Sequence, residues 1–118
     1  MKAKHTNKLK ASLKDLLPIC GIYKITNIQT GRVYIGQSKD VLARWKEHIA
    51  DLLKQRHHNK LLTEDFNNYG LISFVAELLQ ECEPEELLHL EAMYIREYQK
   101  LAGVYNFPAT SGDSNSPG

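Results

Sequence analysis

The stretch that decides the fold spans residues 20–38 and reads CGIYKITNIQTGRVYIGQS. It contains two short segments rich in Ile, Val and Tyr, the composition of β-strands, separated by a Thr-Gly pair that marks a turn. We therefore predict a β-hairpin. Opposite residues of an antiparallel pair point to the same side, so an even-length loop without a bulge places Tyr23 and Tyr34 on one face. Gly21 and Gly36 then lie on that face as well and leave it open.

Three helices are predicted after the hairpin. The first covers residues 38–55, with its N-cap among the first three. The second covers residues 60–69 and stops at the following glycine, a common helix terminator. The third begins at Pro84, a residue tolerated in a first turn, and runs to about Leu101. The apolar positions expected to be buried are Val41, Leu42, Trp45, Ile49, Leu52 and Leu53 in the first helix, and Leu62, Phe66 and Tyr69 in the second.

A third strand is predicted between the second and third helices, where apolar and polar residues alternate from Ile72. Ile72, Phe74, Ala76 and Leu78 would face inward, with Ser73 and Glu77 on the other side. The order β-β-α-α-β-α indicates an α+β fold, a small three-stranded antiparallel or mixed sheet flanked by helices. Residues 18–108 would form this single domain, after a basic arm or short helix (1–17) and before a flexible tail or linker (109–118).

Composition narrows the classes of function. The chain has 118 residues and a net charge of +1, but residues 1–62 carry 13 Lys and Arg against 4 Asp and Glu, whereas residues 63–118 carry 2 against 10. A basic half is consistent with polyanion binding, and a surface neutralised by the acidic half is the alternative. No apolar run is long enough for a membrane span, and no signal peptide is recognisable. Cys20 and Cys82 lack CxxC spacing, so we expect reduced thiols and a cytoplasmic protein.

Three side chains are candidates for chemistry on physical grounds alone. Glu91 falls on the apolar stripe of the third helix, where a carboxylate is costly unless it is paired, hydrogen-bonded or bound to a metal. Snorkelling at the edge of the stripe is the alternative. Arg44 and His48 are spaced i, i+4 on the first helix, and a guanidinium beside an imidazole suits a phosphodiester site. Each would otherwise be a surface residue, and the two hairpin tyrosines could simply pack in the core.

Taken together, these residues resemble the GIY-YIG nuclease family over about residues 20–108. The paired signature is present as Gly21-Ile22-Tyr23 and Tyr34-Ile35-Gly36. The helix motif of the family matches Arg44 and His48 within DVLARWKEH, its metal-binding glutamate matches Glu91 in LEAMYI, and its trailing asparagine matches Asn106 in VYNFP. The layout is most similar to the catalytic domains of phage-type intron-encoded homing endonucleases, a likeness carried by HHNKLL, DFNNYG and YNFPATSGD.

The resemblance implies a metal-dependent DNA endonuclease that leaves 5′-phosphate and 3′-hydroxyl ends. Glu91 would hold one Mg²⁺ or Mn²⁺ ion, and Arg44 would neutralise charge on the phosphate. Tyr23 or Tyr34 would contact the attacking water with His48 assisting, while Asn106 would fix geometry. The general base is left open, because a tyrosine of ordinary pKa is a poor base at neutral pH. The implied catalytic residues are Tyr23, Tyr34, Arg44, His48, Glu91 and Asn106, and the implied DNA contacts are Lys39, Arg44, Lys46, His58 and Lys60.

Several readings stay open beside this one. A nucleic-acid-binding module without catalysis is the main rival, and the same chemistry serves mobile elements, restriction and repair. DNA is the expected partner and no membrane is expected, with a monomer favoured over a dimer. The remaining histidines, His5, His57, His58 and His89, show no coherent metal-ligand spacing, so an exposed loop position is the alternative role for His58.

Overall fold

The computed structural model describes residues 18–106, so the predictions for residues 1–17 and 109–118 lie outside the described part of the chain. The elements are β1 (Gly21–Asn27), β2 (Val33–Ser38), α1 (Val41–Leu53), α2 (Lys60–Tyr69), β3 (Phe74–Glu81) and α3 (Leu87–Leu101). Short 3₁₀ turns at Leu71–Ser73 and Pro84–Glu86 precede β3 and α3. The predicted order β-β-α-α-β-α is confirmed.

The three strands form an antiparallel sheet in the order β2-β1-β3. Of the two predicted sheet types, the antiparallel one is therefore correct. An isolated parallel bridge between Val33 and Val104 brings the chain after α3 alongside the free edge of β2. Because β1 is central, both β2 and β3 are edge strands among the described residues, and residues 103–106 cover part of the outer edge of β2.

Each face of the sheet carries its own apolar cluster, because alternate strand residues point to opposite sides. The first cluster joins the sheet to α1 and α2, and comprises Tyr23, Ile25, Tyr34, Val41, Leu52, Leu62, Phe66 and Tyr105. The second joins the sheet to α3, and comprises Ile22, Val33, Ile35, Leu87, Ile95 and Val104. Burying one such large apolar side chain contributes about 1.5–3 kcal/mol. The sheet is thus a two-sided core with helices on both faces.

The helix caps follow the sequence signals, but the buried faces differ from the prediction. Asp40 caps α1 by accepting a hydrogen bond from the backbone N–H of Ala43. Ile49, Leu53 and Tyr69 were expected to be buried, and all three are exposed. In α1 a histidine, His48, occupies the buried position instead and is only 1% exposed. The helix is therefore rotated to direct an imidazole rather than Ile49 into the core.

The start of β3 also differs from the predicted alternation. Ile72 is 91% exposed and lies in a 3₁₀ turn, whereas Ser73 is 3% exposed. Hydrogen bonds explain this exchange of sides: the Ser73 hydroxyl donates to the carbonyl of Tyr69, and the Ser73 carbonyl accepts from the backbone N–H of Ile28. The prediction that Ile72 faces inward was wrong because these polar contacts fix the turn.

Two other features of the described part of the chain bear on its class. No helix between residues 18 and 106 is long and apolar enough to cross a membrane. Cys20 and Cys82 both carry free thiols, and the backbone N–H of Cys82 donates to the carbonyl of Cys20 at 3.0 Å. The two cysteines are therefore neighbours at the ends of β1 and β3, which their sequence separation does not indicate.

Candidate active site

The hairpin places both tyrosines on the face that α1 covers. Tyr23 lies opposite Gly36 and Tyr34 lies opposite Ile25, so all four residues share one face, as predicted. A Cβ atom built on Gly36 would collide with the phenol ring and hydroxyl of Tyr23. Gly36 is therefore needed so that the ring of Tyr23 can lie across β2.

The first glycine of the signature has a different role. The β1–β3 register shifts between Ile22 and Tyr23, which marks a bulge. A Cβ atom on Gly21 would collide with the backbone carbonyl of Gln80 in β3. Gly21 thus permits close approach of two strands beside the bulge, immediately before the strand residue that reaches the site.

Helix α1 supplies Arg44 and His48, which lie one turn apart and differ in burial. His48 is buried, and its Nε2 lies 2.6 Å from the hydroxyl oxygen of Tyr23. Arg44 is partly exposed and donates from Nη1 to Oε1 of Glu47 at 2.7 Å. Burial raises the pKa of Tyr23 and of Tyr34, and the positive charge of Arg44 counters part of that rise. Both tyrosines are accordingly neutral near pH 7, with a guanidinium beside them.

A stack of three imidazoles lies behind and beside the tyrosines. The rings of His48 and His57 are stacked with centroids 4.9 Å apart, and those of His57 and His58 are stacked at 4.6 Å. His48 Nδ1 lies 2.7 Å from His57 Nε2, and His58 Nε2 lies 3.4 Å from the hydroxyl of Tyr34. Burial lowers the pKa of His48 to about 3 and that of His57 to about 4, so both are neutral at physiological pH.

His57 is the residue of this group that sequence reasoning missed. The spacing of the histidines predicts no metal-ligand role for it, yet it is buried and hydrogen-bonded to His48. The signal that could have found it is local. Helix α1 buries His48 and ends at Leu53, and His57 follows only four residues later. A second histidine so soon after the helix can bring its imidazole within hydrogen-bonding distance of His48. His58, by contrast, is exposed, at the position where a DNA contact or a plain loop residue was expected.

Glu91 approaches from the other face of the sheet. Its neighbours one turn away on α3, Leu87 and Ile95, are buried in the second core cluster, while Glu91 is half-buried at the edge of that stripe. Gln37 Nε2 donates to Glu91 Oε1 at 3.4 Å. The carboxylate is close enough that its negative charge adds to the burial that raises the pKa of Tyr23 and Tyr34. Glu91 therefore belongs to the same electrostatic environment as the tyrosines.

Asn106 acts on the backbone of β2. Its Oδ1 accepts from the N–H of Ile35 at 2.9 Å, and its Nδ2 donates to the carbonyl of Ile35 at 2.6 Å. The side chain thus imitates the rung of a neighbouring strand at the free edge of the sheet. Because both ends of the amide are occupied, Asn106 holds β2 in position next to Tyr34 and Gly36.

The lysines predicted to contact DNA lie on the surface, on or next to α1 and α2. Lys39 precedes α1, Lys46 follows Arg44 by two residues on the same helix, and Lys60 is the first residue of α2. All three lysines are exposed. The structure therefore brings together Tyr23, Tyr34, Arg44, His48 and Glu91 around β2, and leaves the lysines available at the periphery.

These features are those of a phosphodiester-cleaving enzyme: a small α+β domain that carries two hairpin tyrosines, an Arg and a His on one helix, and a carboxylate from another helix. Comparison with known proteins identifies the family. The GIY-YIG catalytic domain matches residues 19–106. The chain is 36% identical over 99 residues to Intron-associated endonuclease 1 of Enterobacteria phage T4, covering 81% of this chain and 40% of that protein.

Solved structures agree. A mutant of the catalytic domain of intron endonuclease I-TevI superposes with a TM-score of 0.67 at 34% identity, covering 80% of this chain and 99% of that one. A second structure, of the catalytic domain of homing endonuclease I-TevI, superposes with a TM-score of 0.65 at 34% identity, covering 71% of this chain and 94% of that one. The chain belongs to the GIY-YIG nuclease family.

Proposed function

We propose that this chain is a metal-dependent DNA endonuclease domain of a mobile element or phage, which hydrolyses phosphodiester bonds to 5′-phosphate and 3′-hydroxyl ends. The observation that carries the proposal is that two opposite charges act on the same pair of tyrosines. The positive charge of Arg44, on α1, lowers the pKa of Tyr23 and Tyr34, and the negative charge of Glu91, on α3, raises it. The phage T4 relative and one solved structure are named as intron endonucleases and the second solved structure as a homing endonuclease, which supports action on DNA.

The donor set at Glu91 fits a hard divalent ion with few protein ligands. Between residues 18 and 106 there is no cluster of three or more His, Cys, Asp or Glu that could enclose a metal. Mg²⁺ commonly binds through one or two carboxylates and keeps much of its water, so a single half-exposed glutamate suits one Mg²⁺ or Mn²⁺ ion. When bound, such an ion polarises the scissile phosphate and stabilises the departing 3′ oxygen.

The remaining roles fall to side chains of this chain. Arg44 neutralises charge on the phosphate, and exchanges its hydrogen bond to Glu47 for one to a phosphate oxygen. Tyr23 and Tyr34, kept neutral by burial, position the attacking water and the phosphate through their hydroxyls. Asn106 keeps β2 in register by its two hydrogen bonds to Ile35. Each role uses an atom that the fold already holds at the edge of β2.

The test is plasmid nicking with two matched variants of α3. Wild-type protein in Mg²⁺ should convert supercoiled plasmid to nicked and then linear DNA, and EDTA should prevent this. Glu91→Gln should lower the nicking rate by ~100-fold or more, the scale of losing one electrostatic stabiliser. Glu97→Gln, an exposed glutamate on the same helix, is the control. Magnesium-dependent nicking that survives Glu91→Gln would refute the role of Glu91, and DNA binding by the wild type without cutting would support the binding-only rival.

A monomer acting on one strand at a time is the oligomeric state proposed with this function. A single site of this kind cuts one strand, so nicked plasmid should accumulate before the linear form appears. Direct conversion of supercoiled to linear DNA, together with a dimeric mass in solution, would contradict it.

A further inference from the structure

The polar groups behind Tyr23 form a chain whose hydrogen positions can be deduced from one end. That end is the backbone N–H of Asn59, which lies 3.1 Å from His57 Nδ1. A backbone N–H can only donate, so His57 Nδ1 must accept and carry no proton. Neutral His57 therefore has its proton on Nε2, where it donates to His48 Nδ1 at 2.7 Å. Neutral His48 in turn has its proton on Nε2, and donates to the oxygen of Tyr23 at 2.6 Å.

Asn59, at the fixed end of this series of hydrogen bonds, is held by several hydrogen bonds of its own. Asn59 is the N-cap of α2, and its Oδ1 accepts from the N–H of Leu62 at 2.9 Å. Its Nδ2 donates to the carbonyl of Tyr105 at 2.7 Å, and its own carbonyl accepts from the hydroxyl of Thr63 at 2.9 Å. Because every polar group of Asn59 is engaged, its N–H cannot turn away from His57 without breaking the cap of α2.

We propose that Asn59 and His57 lock His48 in the Nε2–H tautomer, so that Tyr23 cannot pass its proton inward and the proton of the attacking water leaves through Tyr34 and His58. This inference rests on the proposed endonuclease function. His48 has no free lone pair, since its Nδ1 is occupied by His57. It therefore serves as a donor that orients Tyr23, whose own O–H points away from His48 toward the substrate. Under this proposal, the assistance that His48 gives is to hold the hydroxyl of Tyr23 and not to accept its proton.

Tyr34 and His58 form a second pair, which reaches solvent, whereas His48 and His57 are buried. His58 Nε2 lies 3.4 Å from the hydroxyl of Tyr34, and His58 is exposed to solvent. Hydrogen bonds of catalytic groups are often long before substrate binds and shorten in the complex. As the water attacks phosphorus, it gives a proton to the Tyr34 oxygen while the Tyr34 O–H proton moves to His58 Nε2. The bond to the 3′ oxygen breaks, that oxygen takes a proton from solvent, and the His58 imidazolium releases its proton to bulk water.

Two substitutions of His57 separate a lock from a proton relay. In His57→Gln the amide can still accept from Asn59 N–H and donate to His48 Nδ1, but it cannot carry a proton through the chain. His57→Leu removes both contacts. We expect nicking to fall by at least ~10-fold in His57→Leu, because even a small misplacement of Tyr23 lowers the rate, and His57→Gln to restore most of it. Loss in His57→Gln equal to that in His57→Leu would overturn the lock and indicate a relay.

The tautomer can be measured directly without substrate. Nitrogen-15 spectra of the folded wild-type protein should show His48 with a protonated Nε2 and an unprotonated Nδ1. The opposite pattern would refute the lock whatever the cleavage assays give. This measurement also covers the case in which His57→Leu does not fold.

The exit through His58 is tested by chemical rescue. His58→Ala should nick plasmid ~100-fold more slowly, within the range for general acid-base groups, and added imidazole should restore part of the rate. Plasmid binding in Ca²⁺ should stay the same, which separates proton transfer from a DNA contact. His89→Ala, an exposed histidine on α3, is the control. Unchanged nicking in His58→Ala, or a loss that imidazole does not restore, would overturn the exit, while wild-type nicking shows that the endonuclease function stands.

Discussion

Gly36→Ala tests whether the second glycine of the signature exists to make room for Tyr23. The added Cβ would overlap three atoms of Tyr23, namely Cζ, Cε1 and the hydroxyl oxygen. Both residues are buried, so the ring can escape only by leaving its hydrogen bond to His48. Overpacking of this kind costs about 1–3 kcal/mol. We expect that loss in the free energy of unfolding, measured by urea denaturation, together with a large loss of plasmid nicking.

A double-mutant cycle shows whether the collision is the cause. Tyr23→Leu keeps an apolar side chain at the same place but lacks the three colliding atoms, so Gly36→Ala should be nearly neutral in that background. Gly31→Ala is the matched control, because Gly31 has open space around it but a φ of +83°. Its cost of about 1–2 kcal/mol comes from the backbone and should be the same in both backgrounds. If Gly36→Ala cost as much with Leu at position 23 as with Tyr, the reasoning would be wrong.

Three further predictions follow from buried polar groups and surface charge. Burial lowers the pKa of His48 to about 3 and of His57 to about 4, so their contribution to stability is complete above pH 6.5 and is lost as the pH falls from 6.5 toward 3. The free energy of unfolding, measured by urea denaturation, should fall over this window by up to about 1.4 kcal/mol per pH unit for each histidine, and a flat profile would contradict their burial as neutral groups. Asn106→Ala should cost about 1–3 kcal/mol by leaving both backbone groups of Ile35 unpaired, which faster amide exchange at Ile35 would report. Lys60→Ala should weaken DNA binding and lower the salt slope by about 1 without changing sequence preference, and an unchanged slope would exclude a phosphate contact.

The fold could be predicted from the sequence where local signals act alone. The Thr-Gly turn, the cap at Asp40 and the stop at Gly70 each depend on chemistry within a few residues, and each is found in the structure. Ile72 shows the limit of such signals. Its alternation with Phe74 predicts an inward side chain, but one of the two hydrogen bonds that turn Ser73 inward comes from Ile28, distant in sequence. Ala76 and Leu78, predicted inward by the same alternation, are exposed as well, so the local pattern did not decide which side of β3 is buried.

The site was predictable in its charges and not in its hydrogen bonds. Glu91 could be singled out because a carboxylate on an apolar stripe contradicts the hydrophobic pattern of its own helix. His57 contradicts nothing, since a histidine in a polar loop is ordinary. Its burial depends on the packing of α2 and on the cap at Asn59, and neither is visible from residue spacing. Only the folded arrangement of α1 and the following loop brings its ring onto His48.

The position of β2 at the edge of the sheet explains why the site needs residues from both faces. Alternate residues of an edge strand face the two cores, so side chains from both faces can lie near the same strand. The charged groups, Arg44 and Glu91, are half-exposed, which under the proposed function gives a phosphate and a hydrated ion access to them. The neutral groups, Tyr23 and His48, are buried behind them, where exclusion of water keeps their hydrogens in one arrangement. The groups proposed to bind charge are thus half-exposed, and the groups that fix proton positions are buried. A substitution of Arg44 or Glu91 should therefore alter DNA affinity and the dependence of cleavage on metal. A substitution of Tyr23 or His48 should alter the free energy of unfolding and proton transfer together.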